Sequence, residues 1–184
     1  MAKISNTARI SHLMLARDLE IPIHNFHQVS DGIFRGARPS KEGLRALRQQ
    51  GFKTVLSFRW RKAPLAVERA HVLELGMNFI SIPLNYWSLP KKQQIDEFLA
   101  IVDDESNYPI FVHCFHGADR TGLLLGIYRV LRCGWSFQDA YREMVQCGFH
   151  RFRTQHYKLA LWRMARRSGG TNGGTTGGPT ETSR

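Results

Sequence analysis

His113-Cys114-Phe115-His116-Gly117-Ala118-Asp119-Arg120-Thr121-Gly122 is the stretch around which the rest of the chain reads as a frame. Before it, Ile110-Phe111-Val112-His113 is a short apolar run suited to a buried strand. After it, residues 121–132 form a mostly apolar pattern of helical length. A loop between such elements points its backbone N–H groups, the positive end of the helix and Arg120 at one spot, and such a spot binds a dianion. A thiol has a free pKa of about 8.5, which falls by several units at a helix N-terminus beside a cation. Cys114 is therefore a candidate nucleophile. Arg120 suits the second role because a planar guanidinium grips two phosphoryl oxygens at once and stays charged at any working pH. Residues Phe115, His116, Gly117, Ala118, Asp119 and Arg120 are the candidate phosphate-binding loop.

The pattern Cys, five residues, Arg and Thr, following a strand and opening a helix, resembles the signature loop of the cysteine-dependent protein tyrosine and dual-specificity phosphatases. Cys-x5-Arg alone is unspecific, but His113 before it and Thr121-Gly122 after it sharpen the match. Asn25-Phe26-His27-Gln28-Val29, Gly32 through Ser40 (GIFRGARPS) and Gly134-Trp135-Ser136 are similar to stretches of the small bacterial dual-specificity-like phosphatases, so the resemblance covers roughly residues 25 to 165. It implies hydrolysis of a phosphate monoester through a phosphocysteine intermediate, with no metal or other cofactor. In this setting His113 is a supporting residue that orders the loop and helps hold the cysteine as thiolate. Thr121 either hydrogen-bonds the sulfur or caps the helix, and both readings can hold together.

Phosphoryl transfer to a thiolate also needs an acid to protonate the leaving oxygen. In the family the resemblance points to, that acid is typically an aspartate on the loop after the strand that ends here at Leu84. This loop reads Asn85-Tyr86-Trp87-Ser88-Leu89-Pro90 and holds no carboxylate. Asp119 is the nearest alternative, with His116 second, and Asp96 is disfavoured because it falls inside a predicted helix. Against an acid role, Asp119 could instead shape the loop through an ion pair or hydrogen bond.

With 184 residues, 42% of them hydrophobic, the chain can bury a core as one domain without disulfides. Cys114, Cys133 and Cys147 are an odd number with no close pair, so the sequence predicts a reducing compartment and reads the last two as core thiols. The residues around Lys3 and Arg9 are too mixed for a secretory signal, and no apolar run approaches the roughly 20 residues of a membrane span. The expectation is a soluble, cytoplasmic monomer. A net charge of +11 favours acidic substrates or surfaces. Specific nucleic-acid binding is not expected, since zinc-finger spacing, RNA-sheet signatures and long basic runs are missing.

In chain order, residues 1–24 are an N-terminal segment with a loosely helical spacing at Ile10, Leu13, Met14 and Ala16. Residues 25–167 are the phosphatase domain, and 168–184 a Gly/Thr-rich tail predicted to be disordered. Asp31-Gly32 marks a turn before a strand at Ile33–Arg35, Ser40 a helix cap, and Thr54–Phe58 and Phe79–Leu84 further strands. Helices are predicted over 65–75, from Pro90 through Val102, from Ser136, and after Thr154. Strands alternating with helices predict an α/β fold, a central mostly parallel sheet flanked by helices on both faces. Arg59-Trp60-Arg61-Lys62, just beyond a strand, is the candidate substrate rim, or else a solvated loop around a packed tryptophan. The substrate is expected to be a phosphorylated protein (phosphotyrosine, phosphoserine or phosphothreonine), or another anionic ester such as a phosphoinositide. The leading alternative is a phosphate-binding module that has lost catalysis.

Overall fold

The computed structural model describes residues 21–169. The helical spacing predicted before Glu20 and the tail from residue 170 lie outside the described residues. Five strands form one sheet: β1 (His27–Ser30), β2 (Ile33–Gly36), β3 (Thr54–Ser57), β4 (Asn78–Ser81) and β5 (Ile110–His113). Their order is β1-β2-β5-β3-β4, antiparallel only between β1 and β2, as the alternating pattern requires. β5 lies in the middle, so the residue that follows it, Cys114, emerges at the centre of the sheet's edge.

Successive side chains of a strand face opposite ways, and the core divides accordingly. Leu56 of β3 and Ile110 and Val112 of β5 join one cluster, packed by helices α3 (Lys92–Asp103), α4 (Asp119–Arg132), α5 (Phe137–Gln146) and α6 (Gln155–Gly169). Val55 and Phe111 join a second on the other face, with Leu44 and Leu47 of α1 (Lys41–Gln49) and Val72 of α2 (Lys62–Glu74). Ile21 and Ile23 belong to this second cluster.

Ser40 caps α1, its side chain accepting from the Gly43 amide, and Ser136 caps α5 by accepting from Asp139. α2 starts three residues before the predicted boundary, at Lys62, with Pro64 in its first turn, where a missing N–H costs nothing. β4 stops at Ser81 rather than Leu84. Ile82 and Leu84 still donate to Ser57 and Phe58, but Pro83 between them has no N–H to offer. α4 is buried nearly all round, and at Gly126 an added Cβ would meet Leu161 at 3.2 Å and Met144 at 3.3 Å, so α5 and α6 close directly on it.

Candidate active site

Between β5 and α4 the chain makes a tight loop whose carbonyls all have donors outside it. His113 Nδ1 donates to Cys114 O at 2.9 Å, Arg38 N–H to Phe115 O at 3.0 Å, and Asn25 Nδ2 to His116 O at 3.3 Å. Arg35 Nη2 donates to Gly117 O at 2.6 Å, and the Gly122 amide to Ala118 O at 2.8 Å. Because the peptide unit is planar and trans, carbonyls held outward turn the following N–H groups inward. With those carbonyls tied, the N–H groups that follow them are left to face the loop's interior, where Cys114 is 2% exposed. Gly117 is required at its position: its φ is +69°, and a Cβ there would stand 2.3 Å from the backbone carbonyl of Gly36.

Behind the loop lies a buried charge relay. His113 is wholly buried, its Nε2 2.7 Å from Glu68 Oε1, while Glu68 Oε2 accepts from Arg59 Nη1 at 2.7 Å. Burial alone would raise the Glu68 carboxyl, but the charge and hydrogen bond of His113, with those of Arg59, hold it below its ordinary value. Glu68→Ala is expected to cost about 3–5 kcal/mol, since it strands the buried Arg59 guanidinium and leaves the His113 ring without its partner; urea unfolding measures this. A depressed carboxyl stabilises the fold fully above its unfolded pKa of about 4.3, and that contribution is lost as pH falls through the lower folded value. Glu68→Gln should therefore flatten the acid limb of stability against pH.

Arg120 is 8% exposed, with Nη1 tied to Phe58 O and Leu84 O, each at 3.4 Å, and Nε without a hydrogen-bond partner among the described residues. The Tyr86 ring lies under its guanidinium at 5.8 Å. Asp119 is 3% exposed and held through both oxygens. Oδ1 accepts from the His150 amide at 2.9 Å and from the Thr154 hydroxyl at 3.2 Å. Oδ2 sits 2.9 Å from His150 Nδ1 and 3.5 Å from the Tyr86 hydroxyl. Burial, with the charge of Asp119, pushes the Tyr86 phenol up. So the loop that lacks an aspartate instead brings a tyrosine to the aspartate inside the cradle.

Over the loop opens a cleft of about 400 Å³ lined by Arg38, Arg59, Trp60, Arg61, Phe115 and Arg120, with Pro64. Trp60 and Phe115 are half-exposed, stacked by Arg61 at 5.6 Å and Arg38 at 5.4 Å respectively. Arg59 differs from its neighbours: it is 7% exposed with Nη1 committed to Glu68, so Trp60 and Arg61 are the exposed members of the expected basic aromatic rim that line the cleft, and Lys62 does not line it.

The structure thus gathers Cys114, Arg120, Asp119, His113 and the intervening loop residues at one point. Thr121 is not a cap, because α4 begins at Asp119; its hydroxyl is buried without a partner among the described residues. Asp96 is far less enclosed, pairing with Lys92 along α3. Cys147 is buried as expected of a core thiol, whereas Cys133 is exposed, at the C-terminal end of α4 where the chain leaves the core. Among the described residues no group of three His, Cys, Asp or Glu could hold a metal ion. Sequence reasoning gave no role to Asn25, Arg35, Arg38, Glu68, His150 or Thr154. The first three lie in stretches whose resemblance was noted, while Glu68 sits mid-helix with nothing local to mark it.

A family model described as DSP-PTPase phosphatase fused to NAD+ kinase matches residues 3–159. The dual specificity protein phosphatase TpbA of Pseudomonas aeruginosa is 28% identical over 128 residues, covering 70% of this chain and 56% of that protein. The inositol diphosphatase DSP1 of Oryza sativa is 30% identical over 138 residues, 68% of this chain and 59% of its own length. The chain therefore spans a little over half the length of these curated relatives. The catalytic core of the PP-IP phosphatase Siw14 from S. cerevisiae superposes with a TM-score of 0.69 at 24% identity, over 83% of this chain and 95% of that one, which shows a shared fold. No helix among the described residues is long and apolar enough to cross a membrane. Since the matched model takes in the sheet, the loop after β5 and nearly every helix that braces it, the chain belongs to the DSP-PTPase phosphatase family.

Proposed function

We propose that the protein hydrolyses phosphate monoesters through a phosphocysteine intermediate. The observation that carries this is the ring of outward-tied carbonyls around a buried Cys114, with Arg120 closing it. Cys114 Sγ attacks phosphorus in line as the bond to the leaving oxygen breaks, and water then displaces the thiolate, releasing phosphate. The inward amides and Arg120 neutralise charge on the equatorial oxygens, in a site where such donors are preorganised. Asp119 supplies the leaving-group proton from Oδ2, whose partners are the exposed His150 ring and the Tyr86 hydroxyl, while His150 N–H and Thr154 hold Oδ1. Three free cysteines fit a reducing, cytoplasmic setting.

Arg38 and Arg61 beside the cleft favour a substrate with more than one anionic group. The rice relative is named an inositol diphosphatase and the bacterial one a dual specificity protein phosphatase, and a basic open cleft accommodates either kind of ester. Arg38→Ala with Arg61→Ala is expected to raise KM for an inositol polyphosphate or a doubly phosphorylated peptide by about 10-fold, and for p-nitrophenyl phosphate by under threefold. Equal losses on all substrates would remove the polyanion preference.

A second reading, a phosphate-binding module without turnover, is favoured by one observation: both Asp119 oxygens are engaged, and the loop at 85–90 adds no other carboxylate. The deciding experiment is hydrolysis of p-nitrophenyl phosphate against pH with a metal chelator present. Turnover supports the phosphatase. Tungstate binding without turnover supports the module.

A further inference from the structure

Arg35 is 1% exposed, the largest wholly buried side chain among the described residues, yet it forms no ion pair there. It lies on β2 opposite Val112, two residues before Cys114 across the parallel pair. Only its Nη2 has hydrogen-bond partners, Gly117 O at 2.6 Å and Ala118 O at 3.5 Å, and Nε and Nη1 have none among the described residues. Gly122 of α4 packs beside it: a Cβ there would stand 3.6 Å from Nη2, in ordinary van der Waals contact. A buried charge without a counter-charge is costly. The acids that act on it are accounted for. Glu143 on α5 is gripped by Arg129 of α4 at 2.6 Å, and burial pushes the Cys147 thiol up, so it is neutral at pH 7. Arg129 repels it, and His27 on β1 faces it as a further basic group. The loop whose Gly117 and Ala118 carbonyls Arg35 holds begins at Cys114, directly after the β5 strand that pairs with β2.

We propose that Arg35 is a second, buried cation of the phosphate cradle, a positioning residue whose counter-anion is the Cys114 thiolate and then the bound phosphoryl group. Arg120 contacts the anion directly, whereas Arg35 acts through the Gly117 and Ala118 carbonyls it holds. Its guanidinium stays charged because that group does not deprotonate in proteins, even though burial lowers its pKa. The other charged or titratable groups around Cys114 are His113 with Glu68 from α2, Asp119 and Arg120 of α4, and Tyr157 of α6, all intact in the variants below.

The inference deepens the phosphatase reading but is tested apart from it. Wild type, Arg35→Lys and Arg35→Gln would be compared by the pH dependence of Cys114 alkylation with iodoacetamide, by tungstate affinity and by p-nitrophenyl phosphate turnover, each variant first checked for native circular dichroism. Glutamine keeps a donor for the Gly117 carbonyl but no charge; lysine keeps the charge. Arg35→Gln is expected to move the alkylation midpoint up by about one pH unit and weaken tungstate about 10-fold, with Arg35→Lys restoring most of both. Equal behaviour of the two variants, or an unmoved midpoint, would show Arg35 to be a structural strut and overturn the proposal. If Arg35→Gln does not fold, Arg35→Lys beside Arg35→Met carries the same comparison. Absence of wild-type turnover alongside the expected midpoint and tungstate shifts would sink the phosphatase reading and leave this one standing.

Discussion

Cys114→Ser is expected to lower p-nitrophenyl phosphate turnover by about 10⁴-fold or more, while tungstate still binds. A serine hydroxyl does not ionise near neutrality, so it cannot take the place of the nucleophile proposed for Cys114. The donors proposed to bind the oxyanion are backbone amides and Arg120, and none of them changes in this variant. The side chain at 114 is nearly isosteric and 2% exposed, so the fold should be kept. The measurement is a rate beside a calorimetric titration. Residual turnover within tenfold of wild type would mean that water, not Cys114, attacks phosphorus.

Asp119→Asn is expected to cost about 10²- to 10³-fold on an alkyl phosphate and only a few-fold on p-nitrophenyl phosphate, with loss of the basic limb of the pH–rate profile. A poor leaving group needs the proton as the bond breaks, and nitrophenolate does not. The variant preserves an acceptor at Oδ1 for His150 N–H and Thr154, so the loop at 150–154 should stay in place. His150→Gln serves as the geometric control, since it removes the ring partner of Oδ2 while leaving the carboxyl. Equal losses on both substrates would assign Asp119 to shaping the loop, and the acid would then be sought at His116 or Tyr86.

The two predictions rest on different kinds of legibility. Cys114 and Arg120 could be read from spacing, because a strand, a short glycine-containing loop and a helix leave little freedom in where the loop's amides point. Asp119 could be proposed but not judged. Its partners His150, Thr154 and Tyr86 lie more than thirty residues away on either side, and only packing brings them to it. β1 went unread for a related reason: His27-Gln28-Val29-Ser30 has a single apolar residue, as an edge strand with an irregular register tolerates.

Arg59 and Arg35 show the same limit in sharper form. In sequence they are two arginines among many, one beside an exposed tryptophan and one in a strand. In the fold Arg59 is bound to Glu68 and Arg35 lies buried beneath the loop. Hydrophobic period, turn glycines and the Cys-to-Arg spacing are local, so the chain alone determined the alternating α/β order, the parallel sheet and the Cys-to-Arg loop at its centre. Which charges are buried, and against what, depends on contacts between residues far apart in the chain. Those energies exist only once the core has closed, and so the tertiary structure alone decided the pairing of His113 with Glu68, the setting of Asp119 and the burial of Arg35 against the loop.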